Sequence, residues 1–217
     1  MPSTIPLESA KSETYYELSR SETLAYLPKP VGRVLDIGCA GGGAATELRA
    51  SGATWITGIE MLAEPAAIAA QVYDQVLVGD ALTELPRAEG PFDTILCYDV
   101  LEHIYDPLAL IRALREVSAA GGRLHVSVPN ASHVSLLGDL IFKGTFGYQT
   151  AGHRDATHVR WFTRRDIVAL VGEGGWRVEG IAHSQLHRSR FLDKITRGRS
   201  TEFLAGQWYV LARNPAS

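Results

Sequence analysis

The chain has 217 residues, of which 46% are hydrophobic, and a formal net charge of −3. That length can bury the core of one domain but is short for two. The charge argues against a protein that holds nucleic acid by bulk electrostatics, because such proteins are usually strongly basic. No apolar run reaches membrane-spanning length, and the two cysteines, Cys39 and Cys97, have neither disulfide nor zinc spacing. We therefore expect a cytoplasmic protein, and we assign no metal ligands.

The N-terminal region has the pattern of a helix that precedes the first strand. Residues 8–27 carry apolar and aromatic side chains at helical spacing among charged ones. Pro28 and Pro30 end the pattern, since proline cannot continue a helix. We predict a helical cap over residues 1–30.

A strand, a glycine turn and a helix follow one another directly after this cap. Residues 34–37 form a short apolar strand, residues 38–43 read GCAGGG, and the helix-forming segment AATELRAS comes next. In open α/β sheets a ligand sits beyond the carboxyl end of such a strand. Asp36 argues against a nucleotide pyrophosphate there, because like charges repel in a partly dry site. The ammonium and sulfonium of S-adenosylmethionine (SAM) are cationic and suit this carboxylate; an ordinary glycine-rich turn is the alternative.

The segment DIGCAGG, residues 36–42, resembles the first motif of class I SAM-dependent methyltransferases, D-x-G-x-G-x-G. The resemblance implies a Rossmann-like, doubly wound α/β fold with seven strands, mostly parallel and with an antiparallel edge strand. It also implies that Gly38, Cys39 and Ala40 contact the cofactor. Ala40 stands where the family has its second glycine. Because alanine disfavours positive φ, we expect ordinary backbone angles at this position.

The next two strands each end in an acidic residue. The strand ATWITGIE ends at Glu60, and an acid about twenty residues past a glycine loop can accept both ribose hydroxyls. Met61 follows it and is assigned to the same pocket. Asp80 ends the third strand; the resemblance implies that it accepts a hydrogen bond from the adenine amino group, with Ala81 beside the ring. Asp80 as a simple helix cap is the alternative.

The fourth strand, residues 92–98, leads into Asp99, which we assign to the cofactor pocket, and a long helix. Between them, Leu101-Glu102-His103 resembles the V-L-E-H signature of the same enzymes. His103 is then expected over the sulfonium end of the pocket, where a neutral imidazole positions a substrate or takes its proton. Capping of the next helix is the alternative role.

Residues 131–163 interrupt the alternation of strands and helices after the fifth strand, and we predict an acceptor-binding insertion or lid. Its end, DATHVRWFT, resembles the D-x-T-H-x-R-x-F-T block of a methyltransferase subgroup from glycan and sugar biosynthesis and natural-product clusters. We expect His158 to be the base and His103 to hold the substrate. Asp155 is expected to orient His158 or touch the acceptor. A local Asp155–Arg160 salt bridge that fixes the lid is the alternative. Thr163 is predicted to cap the helix that follows.

Other segments resemble the same subgroup less specifically. YYELSRSETLAYLP resembles its lead-in, which implies that Tyr16 and Arg20 approach the methionine carboxylate of SAM; a packed tyrosine and a solvated arginine are the alternative. The last two strands, GWRVEGIAHSQL and GQWYVLARN, are expected to pair antiparallel. The basic segment 188–199 between them suits an acidic or nucleotide-linked acceptor, or is a solvated face.

Together these patterns predict a single SAM-dependent methyltransferase domain over residues 1–217. The expected reaction is O-methylation of a sugar or another small biosynthetic intermediate. N-methylation of a small amine is the enzymatic alternative, and a SAM-binding subunit without catalysis is the other. The expected partner is a small-molecule acceptor, without nucleic acid or membrane insertion, and the sequence leaves a homodimer open.

Overall fold

The computed structural model describes residues 21–150, 152–184 and 200–215. Seven strands form one sheet in the order β3-β2-β1-β4-β5-β7-β6. Their bounds are β1 Gly32–Ile37, β2 Ala53–Glu60, β3 Gln75–Val78, β4 Phe92–Tyr98, β5 Ser118–Pro129, β6 Arg177–His183 and β7 Gln207–Arg213. The first five strands pair in parallel, whereas β7 pairs antiparallel with both β5 and β6. The predicted sheet is therefore confirmed, including its antiparallel edge.

Helices of very different length connect the strands. The α-helices of the described residues are α1 Ser21–Leu24, α2 Ala45–Ala50, α3 Ala63–Ala69, α4 Ala81–Glu84, α5 Pro107–Glu116, α6 Val134–Gly138, α7 Arg164–Glu173 and α8 Thr201–Leu204. Short 3-10 turns cover Leu85–Arg87, Leu101–His103 and Gly152–Arg154, and a π-helix covers Asp139–Lys143. Across the three described ranges, none of these helices has the length and apolar character to cross a membrane.

Parts of two predicted segments lie outside the described residues. The described chain begins at Ser21, so Tyr16, Arg20 and most of the predicted cap are not covered. The basic segment 188–199 lies wholly outside the described residues, which end at Ser184 and resume at Ser200. The predictions made for these residues stay predictions.

The core consists of two hydrophobic clusters, one on each face of the sheet. Leu35 and Ile95 belong to one cluster, whereas the adjacent Val34 and Leu96 belong to the other. Successive side chains of a strand point to opposite faces, so this alternation means that β1 and β4 are buried on both sides. Their continuous apolar runs are thereby explained, and their carboxyl ends are held rigidly at one edge.

Two helix starts bear on the sequence predictions. Thr163 accepts a hydrogen bond from the backbone N–H of Asp166, whose carboxylate accepts one from the Thr163 N–H, so the predicted cap of α7 is confirmed as a capping box. Helix α5 is capped by Asp106, whose Oδ1 accepts from the N–H of Ala109 at 3.0 Å. The alternative role of His103 as the cap of this helix is therefore wrong.

The insertion (residues 131–163) starts where β5 ends and is tied to the chain before β7. The side-chain amide of Asn130 donates to the carbonyls of Glu202 and Ala205, each at 2.9 Å. Its backbone N–H donates to Gly206 O at 3.0 Å. Asn130 therefore holds the beginning of the insertion against the segment that leads into β7.

Candidate active site

The glycine loop (residues 38–43) leaves the carboxyl end of β1 in a conformation that requires glycine at two positions. Gly38 has a φ of +66°, and a Cβ there would lie 2.6 Å from Cγ2 of Val100. Gly42 has a φ of +77°, and a Cβ there would lie 2.8 Å from Cγ2 of Val72. Both the backbone angles and the close packing therefore exclude side chains at these positions.

Ala40 differs from the sequence expectation. Its φ is +48°, which is the left-handed region, so the prediction of ordinary backbone angles is wrong. The conformation directs the backbone N–H of Ala40 to Oε2 of Glu60, at 2.9 Å. A left-handed non-glycine residue costs about 1–2 kcal/mol, and this hydrogen bond helps to offset that cost.

Glu60 connects the glycine loop with the segment that follows β2. While Oε2 accepts from Ala40, Oε1 accepts from the backbone N–H of Leu62 at 3.0 Å. Each carboxylate oxygen has a second acceptor site, so these bonds leave capacity for the ribose hydroxyls of SAM. Met61 is 60% exposed at the same edge. The position therefore suits the predicted cofactor role of both residues.

Asp36 lies under the loop and not at its surface. The residue is fully buried, and its Oδ2 accepts a hydrogen bond from the hydroxyl of Tyr73 at 2.7 Å. The carboxylate of Asp36 has no exposed surface here, and its predicted interaction with the cofactor stays a prediction. Its negative charge acts over a longer range in this dry environment. Sequence reasoning missed Tyr73, which lies in no recognisable motif.

Two other residues predicted to contact the cofactor, Cys39 and Ala81, have buried side chains. Cys39 is 3% exposed and Ala81 is 8% exposed, so the predicted contacts would be made chiefly by backbone atoms. Asp80 is exposed, and its Oδ1 accepts from the N–H groups of Leu82 and Thr83 at 3.0 and 3.2 Å. Asp80 therefore caps α4 through Oδ1. Its other oxygen, Oδ2, is the atom that would accept a hydrogen bond from the adenine amino group.

Asp99, directly after β4, also has a left-handed backbone, with a φ of +55°. Its Oδ1 accepts from the side-chain amide of Gln207 at 2.8 Å and from the hydroxyl of Ser127 at 3.3 Å. Gln207 begins β7, 108 positions later in the chain. No local sequence pattern indicates such a partner, and the contact links the cofactor edge to the last strand.

The residues predicted for catalysis come together beside this edge. Glu102, His103 and His158 form a cluster in which one ligand atom of each lies within 4.8 Å of the others. The imidazole rings of His103 and His158 meet edge to face, with their centroids 4.8 Å apart. Glu102 is 2% exposed and His158 is 8% exposed. The predicted proximity of the two histidines is therefore observed, and the sequence analysis gave Glu102 no role.

Hydrogen bonds determine which nitrogen of His103 carries the proton. Its Nδ1 lies 3.2 Å from the carbonyl oxygen of Thr157 and 3.2 Å from the Thr157 hydroxyl. That hydroxyl donates to Oδ1 of Asp155 at 2.7 Å. A carbonyl only accepts, so Nδ1 of His103 donates and the lone pair of the neutral ring is on Nε2. Asp155 thus supports His103 through Thr157.

The insertion is held against the cluster by its own backbone. The N–H groups of Val159 and Arg160 donate to the carbonyl of Glu102 at 2.8 and 3.0 Å. Nε of Arg160 donates to the carbonyl of Tyr105 at 3.1 Å. A recess opens next to the cluster, and its lining residues are Glu102, Pro129, Asn130, Ala131, His153, His158, Arg160, Trp161 and Phe162.

The remaining histidines of the insertion form a separate pair. The rings of His133 and His153 stack with centroids 4.7 Å apart. Burial and the neighbouring His153 lower the pKa of His133. Nδ1 of His133 accepts from the backbone N–H of Ser135, which caps α6 and requires an unprotonated nitrogen. This pair therefore stabilises the insertion, while His158 faces the cluster.

Comparison with known proteins places these features in a family. The model of a family described as a methyltransferase domain matches residues 11–180. Ubiquinone biosynthesis O-methyltransferase of Pseudomonas aeruginosa PAO1 is 36% identical over 107 residues, which are 45% of this chain and 44% of that protein. The protein of that name from Xanthomonas campestris is 36% identical over 138 residues, covering 55% and 56%. The chain thus spans about half the length of these relatives.

Solved structures show the same fold at low sequence identity. A SAM-dependent methyltransferase from Archaeoglobus fulgidus superposes with a TM-score of 0.65 at 16% identity, covering 89% of this chain and 90% of that one. The seven-stranded sheet agrees with this likeness. Because the family model matches residues 11–180, the chain belongs to the family of SAM-dependent methyltransferase domains.

Proposed function

We propose that the protein transfers the methyl group of SAM to a hydroxyl oxygen of a sugar or another small biosynthetic intermediate. The observation that carries the proposal is the Glu102–His103–His158 cluster beside the recess. Two imidazoles at the carboxyl edge of the sheet are suited to a hydroxyl acceptor, which has to lose a proton. The names of the relatives, which specify O-methylation, support the same choice of atom.

The reaction is an in-line displacement. The acceptor oxygen forms a bond to the methyl carbon while the carbon–sulfur bond breaks, and its electron pair returns to sulfur, which becomes a neutral thioether. The hydroxyl proton has to leave in the same process. A positioned imidazole typically contributes about 10²- to 10⁴-fold to such a step, because its pKa lies near neutrality. Alignment of oxygen, carbon and sulfur supplies much of the remaining acceleration.

The roles of the two histidines in this proposal follow the sequence prediction, in which His158 takes the proton and His103 holds the acceptor. Asp155, which was predicted to orient His158 or touch the acceptor, is here assigned to the support of His103 through Thr157. The hydrogen bonds through Thr157 connect Asp155 with His103, which keeps that ring in one orientation. The insertion, residues 131–163, serves as the acceptor-binding lid.

The proposed contacts with SAM involve residues near the carboxyl ends of β1, β2 and β3. Glu60 accepts the ribose hydroxyls, and Asp80 accepts from the adenine amino group with Ala81 beside the ring. Asp36 acts on the cationic end of SAM through its charge. The methionine carboxylate is assigned to Tyr16 and Arg20, outside the described residues.

A methyl-transfer assay tests the reaction class. The protein with SAM is offered nucleotide sugars, glycosides, phenols and small amines, and the products are detected by mass shift. Transfer to a hydroxyl, lost in His158→Ala and kept in His183→Ala, supports the proposal; His183 is a matched histidine on β6, away from the cluster. Transfer to amines alone, with His158→Ala fully active, would overturn it in favour of N-methylation. Binding of SAM without any transfer would favour a non-catalytic subunit.

A further inference from the structure

We propose that Glu102, His103 and His158 together bind one divalent transition-metal ion, and that the acceptor oxygen completes its coordination. This inference rests on the proposed function and deepens it. It names a metal where the sequence indicated none, and it selects acceptors that carry two adjacent oxygens, such as a vicinal diol.

The geometry of the cluster is close to that of a metal site. One ligand atom from each residue already lies within 4.8 Å of the other two. Two ligands bound to zinc at about 2.1 Å in a tetrahedral arrangement are roughly 3.4 Å apart. The backbone beneath the site is fixed by the bonds that Val159 and Arg160 donate to Glu102.

The tautomer of His103 is the one that a metal requires. Because its Nδ1–H is directed at the Thr157 carbonyl, the lone pair of the neutral ring lies on Nε2, which is the nitrogen that would coordinate an ion. Histidines that bind metals almost always donate their second ring N–H to a carbonyl or carboxylate. Asp155 holds Thr157 in turn, through bonds of 2.9 Å from its N–H and 2.7 Å from its hydroxyl. The residues behind the ligand are thus already in place.

The donor set indicates which ions fit. Two imidazole nitrogens with one carboxylate oxygen suit zinc, manganese, iron or cobalt, whereas magnesium and calcium prefer oxygen ligands alone. The carboxylate of Glu102 is almost fully buried, and a divalent cation compensates a negative charge in that position. Three protein ligands leave open positions, which in catalytic sites are taken by water or substrate.

A metal at this position changes how the acceptor loses its proton. In the metal-bound form both His103 and His158 use a ring lone pair for coordination, so the ion replaces His158 as the group that activates the acceptor hydroxyl. The ion itself lowers the pKa of a bound hydroxyl far below its ordinary value, as it does for bound water, and the proton leaves to solvent. When the ion expands to five or six ligands, an acceptor with two adjacent oxygens occupies two open positions and is oriented by the chelate.

Metal binding can be measured without any activity. The full chain is treated with a chelator and titrated with Co²⁺, followed by its visible absorption, and with Zn²⁺ and Mn²⁺ by calorimetry. We expect one ion per chain in the wild type and in the control His183→Ala. In Glu102→Gln and His158→Ala the metal affinity should fall by more than about a hundredfold. Replacing even a residue that only hydrogen-bonds to a metal ligand typically lowers metal affinity about ten- to a hundredfold. SAM affinity serves as the test of folding in each variant.

Several outcomes would overturn the inference. One is the absence of stoichiometric metal binding to the wild type. Another is wild-type metal affinity in both Glu102→Gln and His158→Ala. Should Glu102→Gln fail to fold, His158→Asn carries the same comparison. Undiminished methylation of hydroxyls in excess chelator would also refute the metal while leaving the proposed function intact. Stoichiometric metal binding in a protein that methylates only amines would support the site and refute the O-methylation.

Discussion

The backbone N–H of Ala40 donates a hydrogen bond of 2.9 Å to the carboxylate of Glu60, which joins the glycine loop to the tip of β2. Glu60→Ala removes this contact together with the acceptor proposed for the ribose hydroxyls. Loss of a hydrogen bond to a charged group costs about 1.5–3 kcal/mol, so SAM affinity should fall about ten- to over a hundredfold. Titration calorimetry measures the change.

Glu64→Ala is the matched control for this measurement. Glu64 is an exposed acid in the first turn of α3, four positions from Glu60. We expect its removal to leave SAM affinity within a few-fold of the wild type. Equal affinity of the two variants would contradict the role of Glu60.

Ala40→Gly should preserve cofactor binding and should not destabilise the fold. Glycine removes the roughly 1–2 kcal/mol cost of a left-handed alanine. It adds about 0.5–1 kcal/mol of backbone entropy cost, so the free energy of unfolding should stay constant or rise slightly. Urea denaturation and calorimetry with SAM test both statements. Gly38→Ala provides the contrast, because its Cβ would meet Val100 at 2.6 Å and should destabilise the protein.

Tyr73→Phe tests whether the hydrogen bond from Tyr73 to the buried carboxylate of Asp36 contributes to stability and to SAM binding. The variant removes a 2.7 Å hydrogen bond while keeping the aromatic ring. Weakening a buried charged hydrogen bond should lower the free energy of unfolding by about 1–3 kcal/mol. Because Asp36 then adjusts beneath the glycine loop, SAM affinity should fall as well, and more strongly in Asp36→Ala. Tyr26→Phe, at an exposed tyrosine, should change neither quantity.

His125 should make stability depend on pH. Burial lowers the pKa of this histidine from 6.5 to about 4, and Tyr98 Oη lies 2.7 Å from its Nδ1. Between these values the unfolded chain binds the proton and the folded chain does not, so stability falls as the pH falls. The loss amounts to about 3 kcal/mol by pH 4. Across this pH range, the free energy of unfolding should depend less steeply on pH in His125→Asn than in the wild type. An unchanged slope would assign the pH dependence to other groups.

His158→Ala should lower kcat by at least about a hundredfold and leave SAM affinity almost unchanged. The expected result follows because His158 lies in the insertion, away from the glycine loop. Single-turnover kinetics and calorimetry separate the two quantities. If His158→Ala keeps its turnover and His103→Ala loses it, the roles of base and substrate holder are reversed. If neither variant is slower, an amine acceptor that needs only alignment is the better explanation.

The sequence was sufficient for the features that depend on local pattern. Apolar runs that end in Asp36, Glu60 and Asp80 gave parallel strands whose carboxyl ends share one edge, which predicts where the cofactor loop lies. The same reasoning brought His103 and His158 together, since one follows β4 and the other lies in the segment after β5. Thr163 was identified as a helix cap because its signature is confined to four residues.

Features set by packing between distant segments could not be predicted in this way. The angle of Ala40 depends on Glu60, 20 positions later, and overrides the preference of alanine. The burial of Asp36 depends on Tyr73, whose position before β3 carries no motif. Glu102 lies within a recognised tripeptide, but its proximity to His158 arises only when the insertion folds back onto it.

The order of the strands has a consequence for how the protein is made. Strand β6 leaves the ribosome well before β7, yet β7 lies between β6 and β5 in the finished sheet. Strands β1 to β4 can therefore assemble while synthesis continues, whereas β6 has no sheet partner until β7 emerges. Asn130 and Asp99 gain their contacts with residues 202–207 at the same moment. A nascent chain should thus acquire cofactor binding first and the acceptor side of the site only after β7 has been made.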